Sequence, residues 1–287
     1  MNVSVLGFGG AEIGFEKAGT EAVSALLNAA LDAGLNALDT AECYSAGSDE
    51  TSSEYLIGET VAHRRSEFYL FTKCGHASGI DLPDWSPELL TKSIDRSLRR
   101  LKTDVLDLVQ LHTCGADVLK QGDVIAVLQA ARDAGKTRFI GYSGDGENAL
   151  YAIETGAFDV LQTSVNIADQ ECLTKTLPKA AERGMGVIAK RPLANVAWRY
   201  QSETEVPAYP KEYWRRLQEL RYPFQEGDMD SVTRAALKFA LSAPSVSTAI
   251  VGTKNPARWG ATLGAAEFGA IRGRWEAVAG ADWVCQT

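Results

Sequence analysis

With 287 residues, 45% hydrophobic and 23% charged, the chain can bury a full core without a metal or disulfide staple. Its net charge of −8 argues against a nucleic-acid partner, since phosphate binding wants clustered Lys and Arg. The five cysteines form no disulfide framework, and with no signal-peptide pattern and no apolar run near the ~20 residues of a membrane helix, a cytoplasmic, membrane-free protein is expected.

Short apolar runs alternate with longer amphipathic segments from end to end. The runs at residues 3–6, 37–38, 68–71, 105–111, 138–141, 160–163, 186–189 and 248–251 read as strands. Gly7, Gly9 and Gly10 follow the first of them and read as its turn, where small residues allow a cofactor to come close. Helical stretches fall at 21–33, 86–101, 124–134 and 231–241. Ser86-Pro87 supplies a cap and a first-turn proline, and Gly34, Gly135 and Gly184 punctuate helix ends. Strict alternation of strand and helix predicts an α/β fold with a parallel sheet. GFGGAEIG lacks the GxGxxG spacing that opens a doubly wound dinucleotide fold, whereas eight repeats close naturally as a (β/α)8 TIM barrel. One domain is expected over residues 1–287. The long connection at 191–230 is rich in aromatic residues, with a short helix near 211–220, and reads as a lid over the barrel mouth.

In such a barrel the polar residues at the C-terminal ends of the strands are the candidates for chemistry. Asp39 ends the second strand with Tyr44 five residues on, Lys73 ends the third, and His112 ends the fourth. These residues suit one task. Hydride addition to a carbonyl creates an alkoxide that must be protonated as it forms. A tyrosine can donate that proton, an adjacent ammonium lowers its pKa, and a carboxylate holds the ammonium charged. A histidine orients the carbonyl oxygen. Cys43, Cys74 and Cys114 lie close by in sequence, but their spacing with His112 and Asp39 matches no zinc signature, so no metal is expected. These nearby cysteines lead to the expectation that thiol-blocking reagents slow turnover. His76 reads as a loop residue.

The segments LDTAECY and SEYLIG, FTK at 71–73, and SLRRLKTDVLDLVQLH at 97–112 resemble the aldo-keto reductase superfamily, and the resemblance runs along essentially the whole chain. It implies a nicotinamide-dependent oxidoreductase acting on a small carbonyl or alcohol, with a catalytic tetrad at Asp39, Tyr44, Lys73 and His112. It also implies that Ser143 and Gln162 hold the nicotinamide carboxamide, with Gly10, Pro192 and Leu193 lining the cofactor. Gly252, Thr253, Lys254 and Arg258 match the segment that grips an adenosine 2′-phosphate, which favours NADP over NAD. Three positions depart from the family pattern. Gly144 replaces an Asn that contacts the carboxamide. Ala261-Thr262 replaces a Glu-Asn pair at the adenine. Lys190 replaces the aromatic residue that stacks on the nicotinamide, so that Lys190 and Arg191 face either the cofactor diphosphate or an acidic substrate. The family usually has an N-terminal hairpin plugging the barrel bottom, and here it is absent or replaced. Two alternatives stay open: a sugar or polyol dehydrogenase, and a nucleotide-sensing binding protein like the family's ion-channel auxiliary subunits. Oligomeric state is left open.

Overall fold

The computed structural model describes residues 1–267. Its strands are β1 (Leu6–Gly9), β2 (Ala37–Asp39), β3 (Tyr69–Cys74), β4 (Leu106–His112), β5 (Thr137–Ser143), β6 (Val160–Ser164), β7 (Gly186–Lys190) and β8 (Val246–Val251). They pair in parallel, in chain order, and β8 closes on β1. The fold is a (β/α)8 TIM barrel. The expected domain end, residue 287, lies outside the described residues.

The largest shift from expectation is at β1, which begins where the expected strand ends. Residues 2–5 are anchored instead to the Asn36 side chain, whose Oδ1 accepts from the Ser4 N–H at 2.6 Å. Gly7 and Gly9 are therefore strand residues and not turn residues. Both face inward: a Cβ on Gly7 would stand 3.1 Å from the Ile250 side chain, and one on Gly9 would stand 3.5 Å from the Gly252 nitrogen.

Every second strand residue points into the barrel. The lower interior layer is apolar, made of Ala37, Phe71, Leu108, Val160, Ile188 and Ile250, with Val3, Tyr69 and Phe139 closing it from below. Two residues further along each strand, the same inward phase carries Asp39, Lys73, Gln110, Gln162 and Lys190. The opposite phase (Phe8, Leu38, Leu70, Val109, Ile140, Leu161) packs under the helices in the main core. Each such large apolar side chain contributes about 1.5–3 kcal/mol by burial.

The helices start and stop where their signals stand. Ser86 Oγ accepts from the Leu89 N–H ahead of the Pro87–Arg100 helix. Gly34, Gly135 and Gly184 take φ of +88°, +74° and +67° beyond helix ends, a conformation that suits glycine.

The connection at 191–230 does contain the Lys211–Leu220 helix. It is not a free-standing lid. Tyr213, Leu217 and Tyr222 pack with Ile167, Ala194, Ala236 and Phe239 in a second apolar cluster, so the segment is a packed layer. The dense packing elsewhere gives a sharp test. A Cβ on Gly58, in the Ser53–Val61 helix, would overlap the Arg100 carbonyl oxygen. Gly58→Ala should cost about 2 kcal/mol or more and lower Tm by about 5 °C or more. Gly19→Ala, with open space around it, should leave Tm within about 2 °C of the parent in the same melt.

Candidate active site

The strand ends bring the four predicted catalytic residues together at the barrel mouth. Lys73 Nζ donates to Asp39 Oδ2 at 2.6 Å and to the Thr40 carbonyl at 2.7 Å. It stands 5.0 Å from the centre of the Tyr44 ring, near enough for the two groups to act on each other's charge. Asp39 and Lys73 are 1% and 0% exposed, so the pair is out of water. His112 meets Tyr44 edge to face at 5.6 Å between ring centres.

Tyr44 lies on a loop, and buried polar groups hold that loop in place. Ser53 N–H donates to the Tyr44 carbonyl at 2.8 Å, and a Cβ on Gly14 would overlap the same carbonyl. Glu42, two residues before Tyr44, is fully buried. It accepts from the Gly75 and His76 N–H groups at 3.1 Å each, from Arg96 at 3.1 Å and from Ser93. It therefore ties the Tyr44 loop to the segment after β3. That segment brings His76 into the mouth, 5.4 Å from His112 and 5.2 Å from Trp85 between ring centres. His76 is a loop residue, as expected, and from that loop it forms part of the wall, as does Trp85. Phe15 completes the aromatic rim 5.4 Å from Tyr44.

Of the three nearby cysteines, only Cys43 faces the site, with Sγ 3.4 Å from His112 Nδ1. Cys74 and Cys114 are buried in the outer core. Among the described residues no cluster of three His, Cys, Asp or Glu is placed to hold a metal ion.

The β5–β7 edge carries the groups assigned to the nicotinamide. Ser143 lies opposite Gln162 in the ladder, and both are 1% exposed. Gln162 is also a satisfied core amide: its Oε1 accepts from Gln110 at 2.7 Å and its Nε2 approaches Asp39 at 3.4 Å. Gly144 has a structural cause, because a Cβ there would lie 2.6 Å from the Tyr142 ring. The carboxylate that sequence reasoning missed is Asp145. Its Oδ1 accepts from Ser164 N–H at 2.7 Å and Thr163 Oγ1 at 2.9 Å. Its Oδ2 pairs with Lys190 at 3.0 Å and Arg191 at 3.6 Å. Arg191 also reaches Ser164 Oγ at 3.2 Å and Tyr209 OH at 2.8 Å. Pro192 is buried and Leu193 half-buried. Arg191, Ala194, Asn195 and Val196 take φ between +44° and +53°, a costly left-handed run beside the mouth.

At the other edge, a Cβ on Gly252 would come 2.8 Å from the Gly9 carbonyl, so the glycine lets the ends of β1 and β8 approach closely. Gly10 is explained by packing alone, since a Cβ would overlap Ser53 Oγ. Thr253 is buried, while Lys254 and Arg258 are exposed. Lys254 is paired with Glu16. The Ser143 hydroxyl and the Gln162 amide, side by side at the ends of β5 and β6, fit a nicotinamide carboxamide; Lys190 at the stacking position is the departure.

Charge follows from this burial. Burial alone would discharge Lys73, but Asp39 and Tyr44 together hold its pKa above the usual lysine value. Burial raises Tyr44 above 10, outweighing the pull of Lys73. The expected net lowering of this tyrosine is therefore corrected: burial outweighs the ammonium. Burial, with Lys73 and His76, drives His112 down to about 2, so the ring is neutral. Burial pushes the Cys43 thiol up to about 11.

The aldo/keto reductase family model matches residues 5–274. L-galactose dehydrogenase of Arabidopsis thaliana is 30% identical over 266 residues, covering 88% of this chain and 81% of that protein. D-threo-aldose 1-dehydrogenase of a Pseudomonas species is 27% identical, with 90% and 88% covered. Among solved structures, aldo-keto reductase AKR11C1 from Bacillus halodurans in its holo form matches with a TM-score of 0.76 at 26% identity, covering 92% of this chain and 87% of that one. With its barrel, its mouth residues and these relatives in agreement, the chain belongs to the aldo/keto reductase family of oxidoreductases.

Proposed function

We propose that this chain interconverts a small carbonyl and its alcohol, with Tyr44 as general acid and base. The observation that carries the proposal is the buried Lys73 ammonium, bonded to Asp39 and the Thr40 carbonyl and standing 5.0 Å from the centre of the Tyr44 ring. Ser143, Gln162, Pro192 and Leu193 would hold a nicotinamide cofactor, which would supply the hydride. Tyr44 gives its phenolic proton to the oxygen as negative charge develops there. Lys73 stabilises the phenolate that remains, and Asp39 keeps Lys73 charged and aimed. His112 is neutral and has one N–H. In the tautomer that accepts from the Cys43 thiol at Nδ1, Nε2–H is left to orient the substrate oxygen. Oxidation of an alcohol uses the same groups in reverse.

NADP is the proposed cofactor, on the donors Thr253, Lys254 and Arg258. One observation favours NAD as a second choice: Glu16 already pairs with Lys254, and Glu12 stands beside Gly252. A 2′-phosphate must compete with both carboxylates. The relatives named for L-galactose and D-threo-aldose favour a sugar as the alcohol. We place the protein in the cytoplasm as a single catalytic unit; the free Cys43, Cys74, Cys114 and Cys172 suit a reducing compartment, and among the described residues no helix is long and apolar enough to cross a membrane.

Three outcomes test this function. Tyr44→Phe should lower kcat/KM by about 10²–10⁴-fold, with the NADPH Kd unchanged in tryptophan-fluorescence titration. Equal losses in turnover and binding would remove Tyr44 from the chemistry. For reduction the tyrosine must be protonated, so kcat/KM should be flat from about pH 6 to 9 and fall only in alkali. The reverse oxidation should rise toward alkali, and a reductive limb near pH 6.5 would contradict a neutral His112. Alkylation of Cys43 should slow turnover, and Cys43→Ser should abolish that sensitivity; full modification of the parent without loss of rate would exclude Cys43 from the site.

A further inference from the structure

We infer that Lys190 tilts the bound nicotinamide couple toward its reduced form, favouring alcohol oxidation on this protein. The inference rests on the cofactor site proposed above. Lys190 is the last residue of β7, on the inward phase, directly opposite Ser164 in the ladder. Its side chain is 12% exposed. It is close enough to the catalytic group to act on the charge of Asp39, Lys73 and His112 alike. If Ser143 and Gln162 hold the carboxamide, the ring lies against the β5–β7 strand ends, within the field of Lys190.

The local charge does not cancel. Lys190 and Arg191 share the single carboxylate of Asp145, through one oxygen, while its other oxygen is taken by Ser164 N–H and Thr163. Asp169, which also acts on Arg191, is paired with Arg216, so with Lys190 protonated one positive charge is left over at the wall; burial lowers the Lys190 pKa and Asp145 opposes that shift. An oxidised nicotinamide ring is cationic, and the reduced ring is neutral. A half-buried cation therefore penalises the oxidised form alone, because repulsion is poorly screened away from water. An aromatic residue at this position exerts no such penalty.

The consequence is stated for the full reaction. An alcohol and oxidised cofactor give a carbonyl, reduced cofactor and one proton; the hydride leaves the carbinol carbon, and the hydroxyl proton leaves through Tyr44. Stabilising the reduced form relative to the oxidised form shifts that equilibrium on the protein toward the carbonyl. Net positive charge beside the ring thus makes the chain a better dehydrogenase than an aromatic platform would.

The test is equilibrium binding, with no turnover. The full chain is titrated with NADP+ and NADPH, and separately with NAD+ and NADH, by calorimetry, and the ratio of oxidised to reduced Kd is taken for each pair. Lys190→Met should lower that ratio by about tenfold or more. Asp145→Asn is nearly isosteric and its amide oxygen still accepts from Ser164 N–H and Thr163, but it frees a second positive charge and should raise the ratio by a comparable factor. The two variants move the ratio in opposite directions, which a packing defect does not. Should Lys190→Met fail to fold by circular dichroism, the sign of the Asp145→Asn shift decides. Ratios within twofold of the parent overturn the role of Lys190 while leaving the cofactor site intact. No binding of any of the four nucleotides to the parent overturns the cofactor site and this inference together.

Discussion

The ion pair between Lys73 and Asp39 is the constraint on which the mouth of the barrel depends. Taking two such charges out of water costs several kcal/mol per ion, and only close geometry with every donor and acceptor engaged offsets it. Here the contact is 2.6 Å and the Thr40 carbonyl takes a second proton of the ammonium, while among the described residues Asp39 Oδ1 has no hydrogen-bond partner, so the pair meets this condition only in part. The arrangement exists because parallel strands alternate their side chains with a period of two. Phe71 and Lys73 share one phase of β3, as do Leu108, Gln110 and His112 of β4. The apolar layer below makes the interior dry, and that dryness gives the polar layer above its electrostatic strength.

Burial also decides protonation. The same loss of solvent that makes the Lys73 charge effective pushes Tyr44 toward its neutral acid and strips the proton from His112. An acid with a cation beside it and a neutral hydrogen-bond donor opposite is matched to an oxygen that turns from carbonyl to alkoxide. Tyr44 stands outside the strands, so its placement depends on Glu42, Ser53 and Gly14, none of which touches a reacting atom. Glu42 is the most economical of these, since one carboxylate secures the loops after both β2 and β3.

Much of this was legible in the sequence because it is periodic. Asp39, Lys73 and His112 each end an apolar run, and their strand phase places them inward without further information. Tyr44 was legible only through the motif it shares with a family. What stayed hidden depends on contacts between distant elements. Asp145 gathers Lys190 and Arg191 from β7 while sitting beyond the end of β5, and no local pattern joins those positions. Trp85 reaches the wall because Gly75 has no side chain to obstruct its ring. β1 was misplaced because its inward positions are glycines, Gly7 and Gly9, which resemble a turn when read alone. The segment at 191–230 looked like a lid because its aromatic residues are visible in sequence and the surface they pack against, from Ile167 to Phe239, is not.

The central claim is that the Tyr44–Lys73–Asp39 group carries hydride chemistry and does not merely recognise a nucleotide. Isotope transfer measures this most directly. The protein would be incubated with reduced cofactor deuterated at the transferring ring carbon and a panel of aldoses and simple aldehydes, and the products weighed by mass spectrometry. One deuterium at the carbinol carbon of at least one product, lost with Lys73→Met, is the predicted result. Bound cofactor with no deuterium transferred to any member of the panel would contradict it, and would leave a nucleotide-binding protein in its place.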